Sequence, residues 1–199
     1  MPDFEIEKKA YDKGFKYVCG VDEAGRGPLA GPVCAAAVIL PEDCEIEGLN
    51  DSKKLSEKKR EALYDIIISK ALAYSVCYGT VEEIEQYNIL NTTFLAMNRA
   101  IESLKISADY ALVDGNRVPK EIKIPCETVV KGDAKSASIA AASILAKVTR
   151  DRLLLEYDSK YPEYGFKNHK GYGTAAHYAA IKEYGPTPVH RLSFLKNVL

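Results

Sequence analysis

Three aspartates follow short apolar segments that are typical of β-strands. Asp22 ends "YVCGVD", Asp114 ends "YALVD" and Asp133 follows "CETVVKG". Open α/β sheets collect ligand and catalytic groups beyond the carboxyl ends of their strands. Carboxylates brought close together repel one another unless a divalent cation neutralises them, and oxygen-only ligation favours Mg²⁺ or Mn²⁺. The three positions together predict such a metal site, although each aspartate alone could be an ordinary turn or helix-capping residue.

Glu23 directly follows Asp22, which raises a question of geometry. Successive side chains of a regular strand point to opposite faces of the sheet, so these two carboxylates cannot project alike from one. Two solutions remain open at this point: the strand ends at Asp22, or the backbone carbonyl of Glu23 faces the metal in place of its side chain.

The glycines that follow, Gly25 and Gly27 around Arg26, favour close approach of a ligand to the main chain. Their backbone amides could meet a sugar or a phosphate, with Arg26 holding the anion or the fold. A tight connection between two strands would explain the same glycines.

The elements that must position these residues alternate between strands and helices. The pattern of apolar and turn residues predicts strands at 17–22, 33–40, 74–80, "YALVDGN" and "CETVVKGD". It predicts helices after the N-cap Ser56, at 91–104, at 135–157 and over "TAAHYAAIKEYG". This order predicts an α/β sheet.

Composition limits the class of protein. A chain of 199 residues with 47% hydrophobic content is enough for one compact domain. Its longest nearly uninterrupted apolar run, 33–40, is too short to span a bilayer, and five cysteines without a C-x-x-C pair suit a reducing cytoplasm. We therefore expect a cytoplasmic protein that does not bind membranes.

A net charge of −1 argues against binding polyanions by bulk electrostatics. Basic residues nevertheless crowd the last third of the chain, so a nucleic-acid surface would have to be local. They are Lys131, Lys135, Lys147, Arg150, Arg152, Lys167 and Lys170.

Five longer segments resemble the ribonuclease HII family. They are "GVDEAGRGPLAGPV", "LNDSKKLSEKKRE", "LVDGN", "KGDAKSASIAAASILAKVTRD" and "YGFKNHKGYGT". The resemblance implies an RNase H-like fold, with a mixed central β-sheet flanked by helices. It implies one catalytic domain over residues 1–199, in which the residues from about 160 form a helical C-terminal region that binds substrate.

The same resemblance implies an endoribonuclease that cleaves the RNA strand of RNA/DNA hybrids. It also implies cleavage 5′ of single ribonucleotides in duplex DNA, by hydrolysis with two divalent metal ions, Mn²⁺ or Mg²⁺, leaving 3′-hydroxyl and 5′-phosphate ends. The expected partners are therefore RNA/DNA hybrids and ribonucleotide-containing DNA, in ribonucleotide excision repair. We expect a monomer without an obligate protein partner.

Position by position, the catalytic and metal-binding set of the family falls on four acids: Asp22, Glu23, Asp114 and Asp133. The expected substrate-binding residues are the glycine loop, several lysines and a tyrosine that senses the RNA–DNA junction: Gly25, Arg26, Gly27, Lys53, Lys131, Lys147, Lys170 and Tyr172. Among the histidines, His190 is expected to be structural, whereas His169 and His177 are expected at the surface.

Three other classes of protein would share some of these features with the ribonuclease HII family. A ribonuclease HIII would carry an additional N-terminal domain, and fewer than twenty residues precede the first predicted strand. A junction resolvase or exonuclease would share the acids without the "GRG" and "HKGYG" segments, and a non-enzymatic hybrid-binding module should have lost an acid. Both segments and all four acids are present.

Overall fold

The computed structural model describes residues 1–120 and 122–196. Within these residues the strands are β1 (Val18–Ala24), β2 (Val33–Ile39), β3 (Ala73–Gly79), β4 (Tyr110–Asp114) and β5 (Cys126–Val129). The α-helices are α1 (Glu5–Tyr11), α2 (Glu57–Lys70), α3 (Val81–Glu102), α4 (Ala137–Lys160), α5 (Phe166–His169) and α6 (Ala175–Tyr184). Of the C-terminal region expected from about 160, residues 197–199 lie outside the described residues.

The strands form one mixed sheet within the described residues, in the order β3-β2-β1-β4-β5. Strands β3, β2 and β1 are antiparallel neighbours, whereas β1, β4 and β5 are parallel. The two faces are covered by α4 and α3, and this arrangement confirms the predicted α/β fold. The three parallel strands bring their carboxyl ends to one edge, which is where the predicted acids lie.

Helix α4 lies very close to β1 because its sheet-facing residues are small. Ala137, Ala140 and Ala141 are fully or almost fully buried against the sheet. At Gly20 the contact is so close that a Cβ atom would overlap the backbone of Ser138 and Ile139. The glycine therefore fixes the distance between the helix and the strand that carries Asp22.

Helix α2 begins after Ser56, as predicted, and the Ser56 side chain accepts a hydrogen bond from Lys59 N. The helix predicted at 91–104 is found as the second segment of α3, whereas the first segment, which begins at Val81, was not predicted. Thr80 and Glu83 form a capping box there, and Asn88 interrupts the helix with a φ of 67°. Because Asn88 Oδ1 accepts hydrogen bonds from the Leu90 and Asn91 amides, a second helical segment begins where the sequence pattern indicated.

No helix in residues 1–120 and 122–196 has both the length and the apolar character needed to cross a membrane.

Replacing Gly20 by alanine should destabilise the protein strongly, because the added methyl group would force α4 away from β1. Overpacking of this kind costs about 1–3 kcal/mol or more in free energy of unfolding. Gly27→Ala is the matched control, since its Cβ would meet only the ring of Tyr172, at 3.7 Å. Urea unfolding measures both variants, and a Gly20→Ala protein as stable as the parent would show that the close helix–strand contact is misplaced.

Candidate active site

The parallel pairing of β1 with β4 places Asp22 and Asp114 next to each other. Val21 is level with Val113, so the two aspartates follow at the same position of neighbouring strands. Their side chains lie on the face covered by α4, because Val18 and Leu112, an even number of residues earlier, pack against Ile139 of that helix. Asp22 is only 5% exposed.

Glu23 lies on the opposite face, and β1 does not end at Asp22. The strand stays paired with β2 through Ala24, so of the two alternatives left open by the sequence, the one in which the strand ends at Asp22 is excluded. Glu23 borders a cavity of about 280 Å³ beside α3, together with Arg26 and Asp114. Its carboxylate lies 3.5 Å from Arg26 Nη1.

Asp133 reaches the site from a short 3-10 helix, Gly132–Ala134, that follows β5. Lys131 turns the chain there with a φ of 56°, and Gly132 N donates a hydrogen bond of 2.7 Å to Asp114 Oδ1. The N-cap of α4 is Ser136, so the alternative reading of Asp133 as the cap of that helix is excluded. The turn after β5 therefore joins two of the predicted acids.

Burial and, after it, repulsion between carboxylates raise the pKa values of three acids in the site. Burial raises the pKa of Asp22 well above its usual range, and the neighbouring carboxylates of Glu23, Asp114 and Asp133 raise it further. Burial also raises the pKa of Glu23, and Arg26 only partly offsets this. The pKa of Asp133 is raised by burial and then by Asp114. The structure thus brings the four predicted acids together.

A fifth acid, Asp51, belongs to the same cluster and was missed in the sequence. Its negative charge contributes to the raised pKa of Asp133. Its carboxylate also accepts a hydrogen bond from Lys53 N at 2.9 Å, at the start of the short helix Ser52–Lys54. The available indication was its position two residues before Lys53 in the segment "LNDSKKLSEKKRE".

Lys53 lies close enough to the acids to interact with their charges. Burial alone would lower the pKa of this ammonium, yet the carboxylates of Asp133, Asp22, Asp51 and Asp114 raise it. It is thus a cation that interacts with several of the acids.

The donor set suits a hard divalent cation, since it consists of carboxylate oxygens that repel one another. One carboxylate oxygen of Asp22 accepts a hydrogen bond from Glu23 N, and one of Asp114 accepts a hydrogen bond from Gly132 N. In the described part of the chain, however, no three His, Cys, Asp or Glu side chains are close enough to form a finished metal cage. A bound cation would have to draw these side chains together.

Two buried arginines hold the glycine loop in place. Arg191 donates to the carbonyl oxygens of Gly31, Arg26 and Gly25, at 2.8, 2.9 and 2.6 Å. Burial, together with the nearby Arg150, lowers the pKa of Arg191 to about 9, which leaves it charged at neutral pH.

Arg150 makes a similar set of contacts from α4. It donates to the carbonyl oxygens of Pro32, Ala30 and Lys170. It is 1% exposed, so its inclusion among the basic residues that could form a nucleic-acid surface was wrong. Neither the composition nor the local pattern around these two arginines indicated burial.

Tyr172 lies beside the glycine loop, although almost 150 residues separate them in sequence. The ring carbon Cε1 would be 3.7 Å from a Cβ at Gly27, and Leu29 N donates to the carbonyl oxygen of Gly171 at 2.8 Å. The side chain is 44% exposed, so its ring is accessible to a substrate.

The remaining predicted lysines differ in their surroundings. Lys147 forms an ion pair with Asp151 at 2.8 Å, and burial lowers its pKa. Lys170 Nζ donates to the carbonyl oxygen of Lys167, while its own carbonyl is held by Arg150. Lys131 is exposed at the turn that leads to Asp133.

Comparison with known proteins gives a consistent result. A family model described as "Ribonuclease HII" matches residues 19–197. The chain belongs to the ribonuclease HII family. It is 58% identical to a ribonuclease HII of Clostridioides difficile (strain 630) over 194 residues, which cover 98% of this chain and 76% of that relative. It is 64% identical over 177 residues to one of Dechloromonas aromatica (strain RCB), covering 89% and 90%.

A solved structure agrees with this membership. The ribonuclease H2 of Pyrococcus horikoshii OT3 superposes with a TM-score of 0.78 at 32% identity, over 92% of this chain and 97% of that chain. As a member of the ribonuclease HII family, the protein is an endoribonuclease of type 2 that acts on RNA/DNA hybrids.

Replacing Asp22 by asparagine should stabilise the metal-free protein at pH 7 by about 1 kcal/mol or more, because it removes a buried charge from a repelling cluster. The asparagine oxygen can still accept the hydrogen bond from Glu23 N. Asp65→Asn on the exposed side of α2 is the control. Urea unfolding in the presence of a chelator measures the difference.

The difference in free energy of unfolding between Asp22→Asn and the parent should depend on pH. The folded state raises the pKa of Asp22, so the stability from its bound proton is present below the ordinary carboxyl range and is lost as pH rises through the raised value. The advantage of Asp22→Asn should therefore shrink as the pH falls from 7 towards about 4. A variant less stable than the parent at pH 7 would contradict the proposed repulsion.

Proposed function

We propose that the protein cleaves the RNA strand of RNA/DNA hybrids and also cuts 5′ of single ribonucleotides embedded in duplex DNA. The products would carry 3′-hydroxyl and 5′-phosphate ends. The observation that supports this best is the position of the glycine loop and Tyr172 directly beyond β1, the strand that carries Asp22 and Glu23. Groups able to recognise a ribose thus lie next to groups able to hold the reacting phosphate.

In this proposal Asp22 and Asp114 are the main ligands of two divalent ions, Mn²⁺ or Mg²⁺, with Asp133 completing the site. Glu23 contributes from the other face of β1, by its side chain or its carbonyl. When bound, such ions supply an activated water and stabilise the charge of the leaving 3′-oxygen. Lys53 offsets the charge of the carboxylates and lies where it can approach a substrate phosphate.

The glycine loop is suited to recognise the 2′-hydroxyl of one nucleotide without reading its base. A 2′-hydroxyl is both donor and acceptor, and only RNA has it. Arg191 holds the carbonyls of Gly25 and Arg26, which fixes the direction of the neighbouring backbone amides. The Tyr172 ring would then pack against the next sugar and favour deoxyribose there.

Lys131, Lys147 and Lys170 are proposed to support the substrate strand from the surrounding surface, Lys147 only if its pair with Asp151 opens. The C-terminal helical region, within a single catalytic domain, would form much of that surface. The monomeric state, the cytoplasmic location and the role in ribonucleotide excision repair stay predictions.

A cleavage assay tests the function directly. The substrate is duplex DNA with one ribonucleotide, incubated with Mg²⁺, with Mn²⁺ or with a chelator. We expect cuts 5′ of the ribonucleotide only when metal is present, and none by Asp114→Asn, whose fold should persist. All-DNA duplex is the control substrate. An active Asp114→Asn protein, or cutting in chelator, would refute the metal-dependent mechanism.

Substitution of Tyr172 tests the proposed junction recognition. Tyr172→Phe loses only a hydroxyl whose hydrogen bond to substrate is worth about 0.5–1.5 kcal/mol. Tyr172→Ala also loses the ring beside Gly27, so cleavage of the single-ribonucleotide duplex should fall much further. Kinetics of the three proteins on one duplex decide this. Equal rates for the parent and the alanine variant would show that Tyr172 has only a structural role.

A further inference from the structure

All three histidines of the chain form one cluster beneath the segment that carries Tyr172. The rings of His169 and His177 stack at 4.4 Å, and His177 Nε2 lies 3.0 Å from His190 Nε2. His177 and His190 are buried, which corrects the expectation that His177 lies at the surface and agrees with a structural place for His190. Phe166 packs against both rings.

The hydrogen bonds of this cluster assign a proton to one nitrogen of each ring. Thr187 N donates to His190 Nδ1 at 2.9 Å, so a neutral His190 carries its proton on Nε2. That proton is donated to His177 Nε2, which leaves the His177 proton on Nδ1. His177 Nδ1 in turn lies 2.9 Å from the carbonyl oxygen of Tyr172, which can only accept.

The cluster fits neutral rings throughout. His169 accepts a hydrogen bond from Gly171 N on Nδ1, and its Nε2 lies 2.9 Å from the carbonyl oxygen of Tyr164. An additional proton on His177 would place two donors face to face between the Nε2 atoms of His177 and His190. An additional proton on His190 would sit on Nδ1 and face the amide donor of Thr187. Burial also lowers the pKa of both, that of His190 to about 4. Each hydrogen bond in the series Thr187–His190–His177–Tyr172 therefore has its donor on the Thr187 side and its acceptor on the Tyr172 side.

The end of this chain of hydrogen bonds fixes the backbone of Tyr172. Its carbonyl accepts from His177 and from Thr174 N, and its amide donates to the carbonyl of His169 at 2.9 Å. With both peptide groups held, the Cα–Cβ bond of Tyr172 has one direction, which places the ring beside Gly27.

The other end of the chain of hydrogen bonds is anchored next to the glycine loop. His190 pairs with Ala30 as an isolated antiparallel bridge, and Arg191 N donates to the carbonyl of Leu29 at 2.8 Å. The neighbouring residue Arg191 binds the carbonyls of Gly25 and Arg26. One dipeptide, His190–Arg191, thus contacts the glycine loop directly and Tyr172 through His177.

We propose that His177 and His190 are positioning residues for substrate recognition: by fixing Tyr172 against the Gly25–Gly27 loop, they set the preference for a single ribonucleotide over a long hybrid. Neither histidine touches substrate in this account. The proposal rests on the proposed role of Tyr172, and it identifies what gives that side chain its position.

Two substitutions of His177 separate positioning from packing. The amide of asparagine occupies roughly the place of Nδ1 and can still donate to the Tyr172 carbonyl, whereas the longer glutamine reaches towards His190 and leaves that carbonyl without its side-chain donor. The readout is kcat/KM on the single-ribonucleotide duplex divided by kcat/KM on a long RNA/DNA hybrid. Tyr172→Ala is measured alongside, and circular dichroism checks each fold.

We expect the ratio to fall about 3- to 10-fold in His177→Gln, the loss of one buried hydrogen bond, and to recover largely in His177→Asn. Equal losses on both substrates in both variants would overturn the proposal and leave His177 a packing residue. If Tyr172→Ala lowers the ratio and His177→Gln does not, the proposed positioning role of the histidines is refuted, while the proposed role of Tyr172 is supported. If Tyr172→Ala itself keeps the ratio, the proposed junction recognition fails first.

A measurement on the unmodified protein covers the case in which a variant does not fold. Nitrogen NMR of ¹⁵N-histidine-labelled protein at pH 7 should show three neutral rings, one protonated on Nδ1 and two on Nε2. Comparison with His169→Gln identifies the signals of that ring. A nuclear Overhauser contact of the Nδ1-bound proton with Tyr172, rather than with Thr187, then assigns that proton to His177. A His177 ring that carries its proton on Nε2, or that is charged, cannot donate as described and would overturn the proposal.

Discussion

Two buried guanidinium groups join parts of the chain that are far apart in sequence. Arg150 and Arg191 each donate to three backbone carbonyl oxygens, and together they hold the loop 25–32 against the turn at Lys170. Removal of a charge from water is costly unless its hydrogen bonds are satisfied, and the planar guanidinium can satisfy several carbonyls at once. The loop 25–32 is not part of a strand, so its carbonyl oxygens lack the hydrogen bonds of a β-sheet. The two guanidinium groups donate hydrogen bonds to these oxygens instead.

This arrangement also explains the glycines. A Cβ atom at Gly25 would overlap the Arg150 side chain, and Gly25 has a φ of 94°. Gly171 has a φ of 84°, and its Cβ would lie 2.7 Å from the carbonyl oxygen of Ala30. Both glycines are therefore required by the close approach of the two chain segments. The exposed Gly27 is different, because only the Tyr172 ring lies near it, and that leaves room for a nucleotide.

The acid cluster differs from the arginine contacts, because its members repel one another instead of stabilising one another. Its carboxylates are brought together by the sheet register and by the turn after β5, and they repel one another when no cation is bound. Such local strain persists at functional sites because the surrounding fold over-determines the geometry. Here the close packing of α4 on Gly20 and the amide donors of Glu23 and Gly132 provide that constraint.

The sequence predicted what depends on local patterns. The carboxyl-terminal parts of β1 and β4 place Asp22 and Asp114 at one edge of the sheet, and the turn after β5 brings Asp133 there. The cap at Ser56 marks the start of α2. It could not distinguish a buried arginine from one that binds phosphate, since Arg150 stands in a helix that also carries exposed basic residues. The burial of His177 was equally hidden, because its partners Tyr172 and His190 come together only through the tertiary fold.

The central claim is that buried arginines assemble the surface proposed to recognise substrate, separately from the acids proposed to bind metal. Arg191→Lys tests it, because an ammonium cannot reach the three carbonyls that the guanidinium binds. We predict that cleavage of the single-ribonucleotide duplex falls at least about tenfold, while calorimetric Mn²⁺ affinity stays at the parent value. A folded Arg191→Lys protein that cleaves this duplex at the parent rate would contradict the account.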